Sequence, residues 1–131
     1  MNATPGEVIA RRLYAALDGR DAGRLVAVVD DASVLHVAGG SGLAGDYQGR
    51  EAIAGLLRHT AELAGGSLRY GAARSEIDTS GRSVLVGRAS ANRRGRRLDT
   101  EVRIAACIDD GVVREAWVSY LDQAECDRFW S

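Results

Sequence analysis

The sequence contains no lysine; all seventeen of its basic residues are arginine. They are scattered along the chain and matched by eighteen acids, which leaves a formal net charge of −1 and a pI of about 6.1. That balance argues against nucleic acid or an anionic membrane as a partner, since either calls for a basic surface. The densest basic group, NRRGRR at 92–97, centres on Gly95 and reads as a solvated hairpin turn. Cysteine is nearly absent, and Cys107 and Cys126 alone make no disulfide framework. Histidine is equally scarce, and the two histidines and two cysteines lie too far apart in sequence for a zinc-ligand spacing, so no metal is expected. No apolar run approaches the ~20 residues that span a bilayer. The opening MNATPGEVIA lacks the basic region and apolar stretch of a secretory signal. The expected setting is the cytoplasm, with reduced thiols.

What is present is a chain of 131 residues, 46% hydrophobic and 27% charged, enough for one domain spanning 1–131 with a single core. TPGE places Thr4 as an N-cap, Pro5 in the first helical turn and Glu7 at the capping-box position. Val8, Leu13, Ala16 and Leu17 then follow a helical stripe with Tyr14 beside it. Gly19 is expected to end this helix, and Asp21 to cap a second, short one through Leu25, Val28 and Val29. A strand over 33–38, a glycine-rich loop and a third helix over 50–64, stopped by Gly65 and Gly66, follow. The second half reads as four strands, 67–78, 83–92, 98–109 and 112–121, separated by the turn signals TSGR, RRGR and DDG. DQAECDRFW closes the chain as a short helix or capped tail. The pattern predicts an α+β fold with a mostly antiparallel sheet wrapped over helices.

Within the glycine-rich loop, GSGLAG matches the dinucleotide pattern G-x-G-x-x-G letter for letter. That pattern works only between a strand and a helix of a βαβ unit, with an acidic residue ~20 residues on. Here Asp46 and Gly49 delay the helix, the region ~20 residues on is itself helical, and the later strands are hairpin-linked. No G-K-[ST] follows for a phosphate loop. The match is chance, and the glycines are read as permissive backbone over the open end of a curved sheet or as plain loop flexibility.

The order of elements, LYAALDGRDAGRLVAVVDDASVLHVAG and the closing DDGVVREAWVSYLDQAECDRFW together resemble the SnoaL-like branch of the NTF2-like superfamily, relatives of ketosteroid isomerases and polyketide cyclases. The resemblance covers nearly the whole chain and is carried most specifically by AALDGRD, DDASV, LAGDYQGREAI and the run from Asp110 to Asp122. It implies a cone-shaped fold, a curved mostly antiparallel sheet over three helices around a central apolar pocket, and a homodimer as the common assembly.

Carried over residue by residue, the resemblance puts His36 where ketosteroid isomerases place a catalytic aspartate; a histidine there acts as a general base near neutral pH, or else packs hydrogen-bonded on the sheet. Asp122 falls near the acid/base aspartate of polyketide cyclases, where a pocket-rim carboxylate has a raised pKa. Asp122 with Glu125 three residues on also reads as the cap of the terminal helix. Tyr14 lies one position from the isomerases' oxyanion-hole tyrosine, and that offset favours reading it as a core residue. The isomerases' second oxyanion donor, a protonated aspartate, would fall near Ile104 and is absent. The epoxide hydrolase pattern also fits poorly, with Ser119 where an aspartate belongs.

Alternation puts Val102, Ile104, Ala106 and Ile108 on one apolar face of their strand, toward the helices and pocket. If Tyr120 and Asp122 point inward, Trp117 points outward and suits a dimer contact; a bulge reverses this. Tyr47, in the loop, is placed to close over a ligand, and His59 to face solvent. The sequence therefore predicts a protein that binds a small hydrophobic molecule without metal or organic cofactor, with Tyr14, Tyr47, Ile104, Trp117 and Tyr120 as ligand contacts. If it is an enzyme, His36 and Asp122 move protons in a cyclisation, isomerisation or dehydration of a carbonyl- or hydroxyl-bearing substrate. The alternative is a non-catalytic ligand-binding or dimerisation module, marked by a filled cavity and by Asp122 serving as a cap.

Overall fold

Thr4 opens helix α1 (Pro5–Ala16): its hydroxyl accepts the Glu7 N–H at 3.1 Å, while the Glu7 carboxylate turns to Arg11. The computed structural model describes residues 4–18 and 22–131, so the expectations for Gly19 and Asp21 fall outside the described residues. The second short helix is a 3₁₀ segment, Ala22–Ala27, and it buries Leu25 beside Val28 and Val29. Strand β1 (Val34–Val37) follows, and then a strand that the sequence hid, β2 (Gly45–Gln48). β2 is an exposed edge strand whose GDYQ carries no apolar alternation, and it pairs antiparallel with β1 through Leu35–Tyr47 and His36–Asp46. The GSGLAG stretch is therefore the connection of a β-hairpin, with Gly45 in β2 itself. Helix α2 (Arg50–Leu63) ends at Gly65 and Gly66, both at positive φ.

The expected strand over 67–78 is two short ones, β3 (Arg69–Tyr70) and β4 (Arg74–Ile77), both on the edge of β5 (Ser83–Arg93). The break falls where Tyr14 donates its hydroxyl to the Gly71 carbonyl at 2.6 Å and Arg11 reaches the Ala73 carbonyl. Strand β6 (Arg96–Asp109) and strand β7 (Val112–Tyr120) complete the sheet, and α3 (Gln123–Trp130) closes the chain. The β5–β6 and β6–β7 turns have two residues each, Arg94–Gly95 and Asp110–Gly111, all four at positive φ. That is the primed geometry whose twist matches the flanking strands.

The sheet order is β2-β1-β7-β6-β5-β3, with β4 also on β5; β1 runs parallel to β7 and every other pairing is antiparallel. The inner face, including Val102, Ile104, Ala106, Ala116 and Val118, packs with the helices into the main core. A bulge between Cys107 and Ile108 lets both Val113 and Ala116 turn inward although their spacing is odd. The outer face carries a second, smaller cluster of Val84, Val86, Ala105 and Trp117. This is the expected α+β architecture, a curved and mostly antiparallel sheet over three α-helices.

Candidate functional site

The cavity of the fold lies between the inner sheet face, α2, α3 and the loop after β1. Leu35 and Val37 of β1, Val118 and Tyr120 of β7, Tyr70 of β3, Leu56 and Leu57 of α2, and Cys126 and Trp130 of α3 line it. About 40 Å³ within it is open to water, room for a few water molecules at roughly 10–15 Å³ each. Its polar groups are those of Ser41, Thr60, Tyr70, Tyr120, Gln123, Cys126 and Trp130; no charged side chain is among the described lining residues.

Two of those groups are paired. The Tyr70 and Tyr120 hydroxyls lie 2.8 Å apart. One proton serves the bond between them, which leaves the second hydroxyl proton to donate elsewhere. Burial raises both phenols above their ordinary pKa, with each further affected by a neighbour: the Tyr120 charge acts on Tyr70, and the Cys126 charge on Tyr120. Both therefore stay neutral donors at physiological pH. The Tyr14 ring backs Tyr70 at 5.5 Å between centroids. Burial, reinforced by the Asp127 charge, pushes the Cys126 thiol up to about 12, so it remains protonated and a poor nucleophile.

Of the residues singled out in the sequence, Tyr120 lines this cavity and the others stand elsewhere. Strand alternation turns Leu35 and Val37 inward and His36 outward. There His36 stacks on Trp117 at 5.5 Å, with Nδ1 2.6 Å from Asp46 of β2 and Nε2 2.5 Å from Glu115 of β7. Carboxylates only accept, so a ring facing one on each nitrogen is an imidazolium. Its pKa is raised by the hydrogen bond to Asp46 first and that to Glu115 second, against the opposing effect of burial. The Arg82 guanidinium covers the Trp117 ring from 4.8 Å.

Asp122 is exposed and caps α3, accepting the Glu125 N–H at 3.0 Å. The structure thus does not bring His36 and Asp122 together; each has partners of its own outside the cavity. Tyr14 directs its hydroxyl to the Gly71 carbonyl, and Tyr47 donates to the Leu43 carbonyl at 2.7 Å. Ile104 is 1% exposed within the core, and Trp117 points outward. His59 is exposed on α2. Sequence reasoning missed Tyr70, Gln123 and Asp127. Tyr70 sat within an expected strand, and Gln123 and Asp127 have the i, i+4 spacing of a helix face, but nothing local showed what they meet. Among the described residues no group of three His, Cys, Asp or Glu side chains is arranged to hold a metal ion, and no helix is long and apolar enough to cross a membrane.

No family model matches the chain, and no curated protein matches its sequence. Solved structures do match. Bal32a, from a soil-derived mobile gene cassette, is similar with a TM-score of 0.86 at 28% identity, over 98% of this chain and 100% of that one. An NTF2-like protein from Burkholderia xenovorans matches with a TM-score of 0.77 at 21% identity, over 100% and 99%. TerC, co-crystallized with polyporic acid, matches with a TM-score of 0.79 at 21% identity, over 98% and 100%.

Proposed function

Proceeding from a chain whose fold is NTF2-like, we propose that it is a SnoaL-like small-molecule-binding protein. Its cavity takes a neutral, apolar ligand and fixes it through one oxygen at the Tyr70–Tyr120 pair. The observation that carries this reading is the pair itself: two neutral phenols at hydrogen-bond distance, one proton to spare, in a wall with no charged side chain among the described residues. Such a wall favours a carbonyl or hydroxyl group over a carboxylate, which would lose hydration without gaining a cation. The structural neighbour co-crystallized with polyporic acid supports a small-molecule role for this architecture.

The engagement of His36 and Asp122 outside the cavity favours the binding-module reading over a proton-shuttling pair. Tyr70 and Tyr120 polarise a bound carbonyl, but neither gives up its proton near pH 7. A thermal-shift comparison tests this. Neutral tricyclic ketones such as xanthone and anthraquinone are compared with their carboxylated analogues. A ligand at a hundred times its dissociation constant adds about 2.7 kcal/mol. Tyr120→Phe should weaken a bound ketone by roughly the worth of one hydrogen bond, about 1 kcal/mol. Carboxylates binding better than ketones, or affinity unchanged in both Tyr70→Phe and Tyr120→Phe, would overturn the reading.

We keep homodimerisation through the outer face within the same proposal, on the ground that Trp117 stands there as a large aromatic. Sedimentation tests it: a dimer that Trp117→Ser turns into a monomer supports it, and a parent protein that sediments as a monomer overturns it.

A further inference from the structure

The cavity is smaller than the ligand its lining suits, since sites for drug-sized molecules run to roughly 300–1,000 Å³ and only about 40 Å³ here is open to water. Some part of the wall must yield. The sheet, α2, α3 and Leu17 at the end of α1 are held by backbone ladders and core packing. The remaining side is the connection from β1 to β2, which contributes Ala38, Ser41 and Leu43 to the lining.

We propose that residues 38–44 form a lid on the cavity, latched to α3 by Gln123 and Asp127, and that release of this latch admits the ligand. Asp127 accepts the Gly40 N–H at 2.9 Å, and Gln123 donates to the Ala38 carbonyl at 3.3 Å. Gln123 also donates to Asp127 at 3.1 Å, so the two helix residues, one turn apart, act on the loop together. Gly39 sits between these contacts at φ 112°, and a Cβ there would run into both Gln123 and Asp127. The glycine is required by the closed latch.

Both ends of the lid are fixed. The Ala38 N–H joins the Val118 carbonyl at 3.0 Å, and the Tyr47 hydroxyl holds the Leu43 carbonyl at 2.7 Å. The latch bonds at Ala38 and Gly40 lie at an exposed surface, where water competes for them. Few and exposed polar contacts mark a segment that opens well below the free energy of global unfolding. The role of Tyr47 is thus to anchor the lid from β2. The purpose of the motion rests on the ligand-binding reading; the motion itself does not.

Cys126 is a built-in reporter, because it lines the cavity at 2% exposure and lies one residue from Asp127. Substituting Asp127 would change the thiol's own acidity, so the latch is better broken at Gly39. In a Cys107→Ser background and without ligand, Gly39→Ala should speed alkylation of Cys126 by N-ethylmaleimide about tenfold, the loss expected with one charge-assisted bond. The comparison is the Cys107→Ser parent, with denaturant added until its stability matches that of Gly39→Ala. Equal rates in the two would mean that the thiol is reached only through global unfolding, and would overturn the lid. Because no ligand is involved, that failure would leave the binding reading standing. A fast Gly39→Ala thiol with no ligand shift in any protein would retain the lid and remove the binding reading.

Discussion

Nδ1 of His36 lies 2.6 Å from Oδ1 of Asp46, joining the edge strand β2 to β1, while the opposite ring nitrogen holds Glu115 of β7. One imidazolium therefore ties three strands on the outer face, with the Trp117 ring against it and Arg82 on that ring. The sign of its pH dependence follows. A histidine whose folded pKa is raised contributes stability that is fully present below the unfolded value, about 6.5, and is lost as pH rises through the folded value. The melting temperature of the protein is thus expected to contain a component that falls from pH 6 upward, and His36→Gln removes that component. A His36→Gln variant with the parent's full slope would show that other groups set it.

Gly87 lies against the Tyr14 ring, and a Cβ at this position would run into the phenol oxygen. The backbone contact lets Tyr14 reach the Gly71 carbonyl, which in turn splits β3 from β4. Overpacking of this kind costs about 1–3 kcal/mol, so Gly87→Ala should lower the urea midpoint. Tyr14→Phe alone should lose about 1 kcal/mol, the worth of one hydrogen bond. Combined with Gly87→Ala, it should recover part of the loss, because the clashing oxygen is gone. Strict additivity in that double-mutant cycle would refute the contact.

The elements were legible where a local rule decides them. Thr4 fixes the start of α1, although the Glu7 carboxylate turns to Arg11 instead of closing a capping box. The glycines of RRGR and DDG fix two turns whose φ values L residues seldom adopt. β2 was not legible, because an edge strand is specified by its neighbour's unpaired backbone groups rather than by its own side chains. The site divides the same way. His36 was visible as a candidate, but VLHV is apolar on both faces, and only the register of Leu35 and Val37 with β7 decides which face is inside. Tyr70 and Tyr120 meet across fifty residues of sequence through a sheet order that no local pattern encodes.

Ser33, fully buried, joins the start of β1 to β7. Its hydroxyl donates to the Val113 carbonyl at 2.5 Å and accepts the Asp30 N–H at 3.0 Å. Ser33→Ala leaves a buried acceptor and an N–H without these partners. The expected cost is about 1–3 kcal/mol in chemical denaturation, with ligand affinity unchanged because the cavity lies elsewhere. A loss below about half a kilocalorie, the usual effect of a surface change, would mean that water replaces the hydroxyl.

Asp122 separates the two roles that the sequence left open. Its carboxylate accepts the Glu125 N–H, and its own N–H donates to Thr100 Oγ1 at 3.3 Å, so it starts the helix that brings Cys126 and Trp130 to the cavity wall. Replacing an N-cap by alanine costs typically about 1 kcal/mol, whereas asparagine caps nearly as well as aspartate. Asp122→Ala is therefore expected to lower stability by about that amount, and Asp122→Asn by much less. Asparagine separates the two roles, because it preserves the cap while abolishing proton transfer. An Asp122→Asn protein that melts with the parent and keeps its ligand affinity supports the cap. One that melts with the parent but loses conversion of a bound ketone would return Asp122 to catalysis.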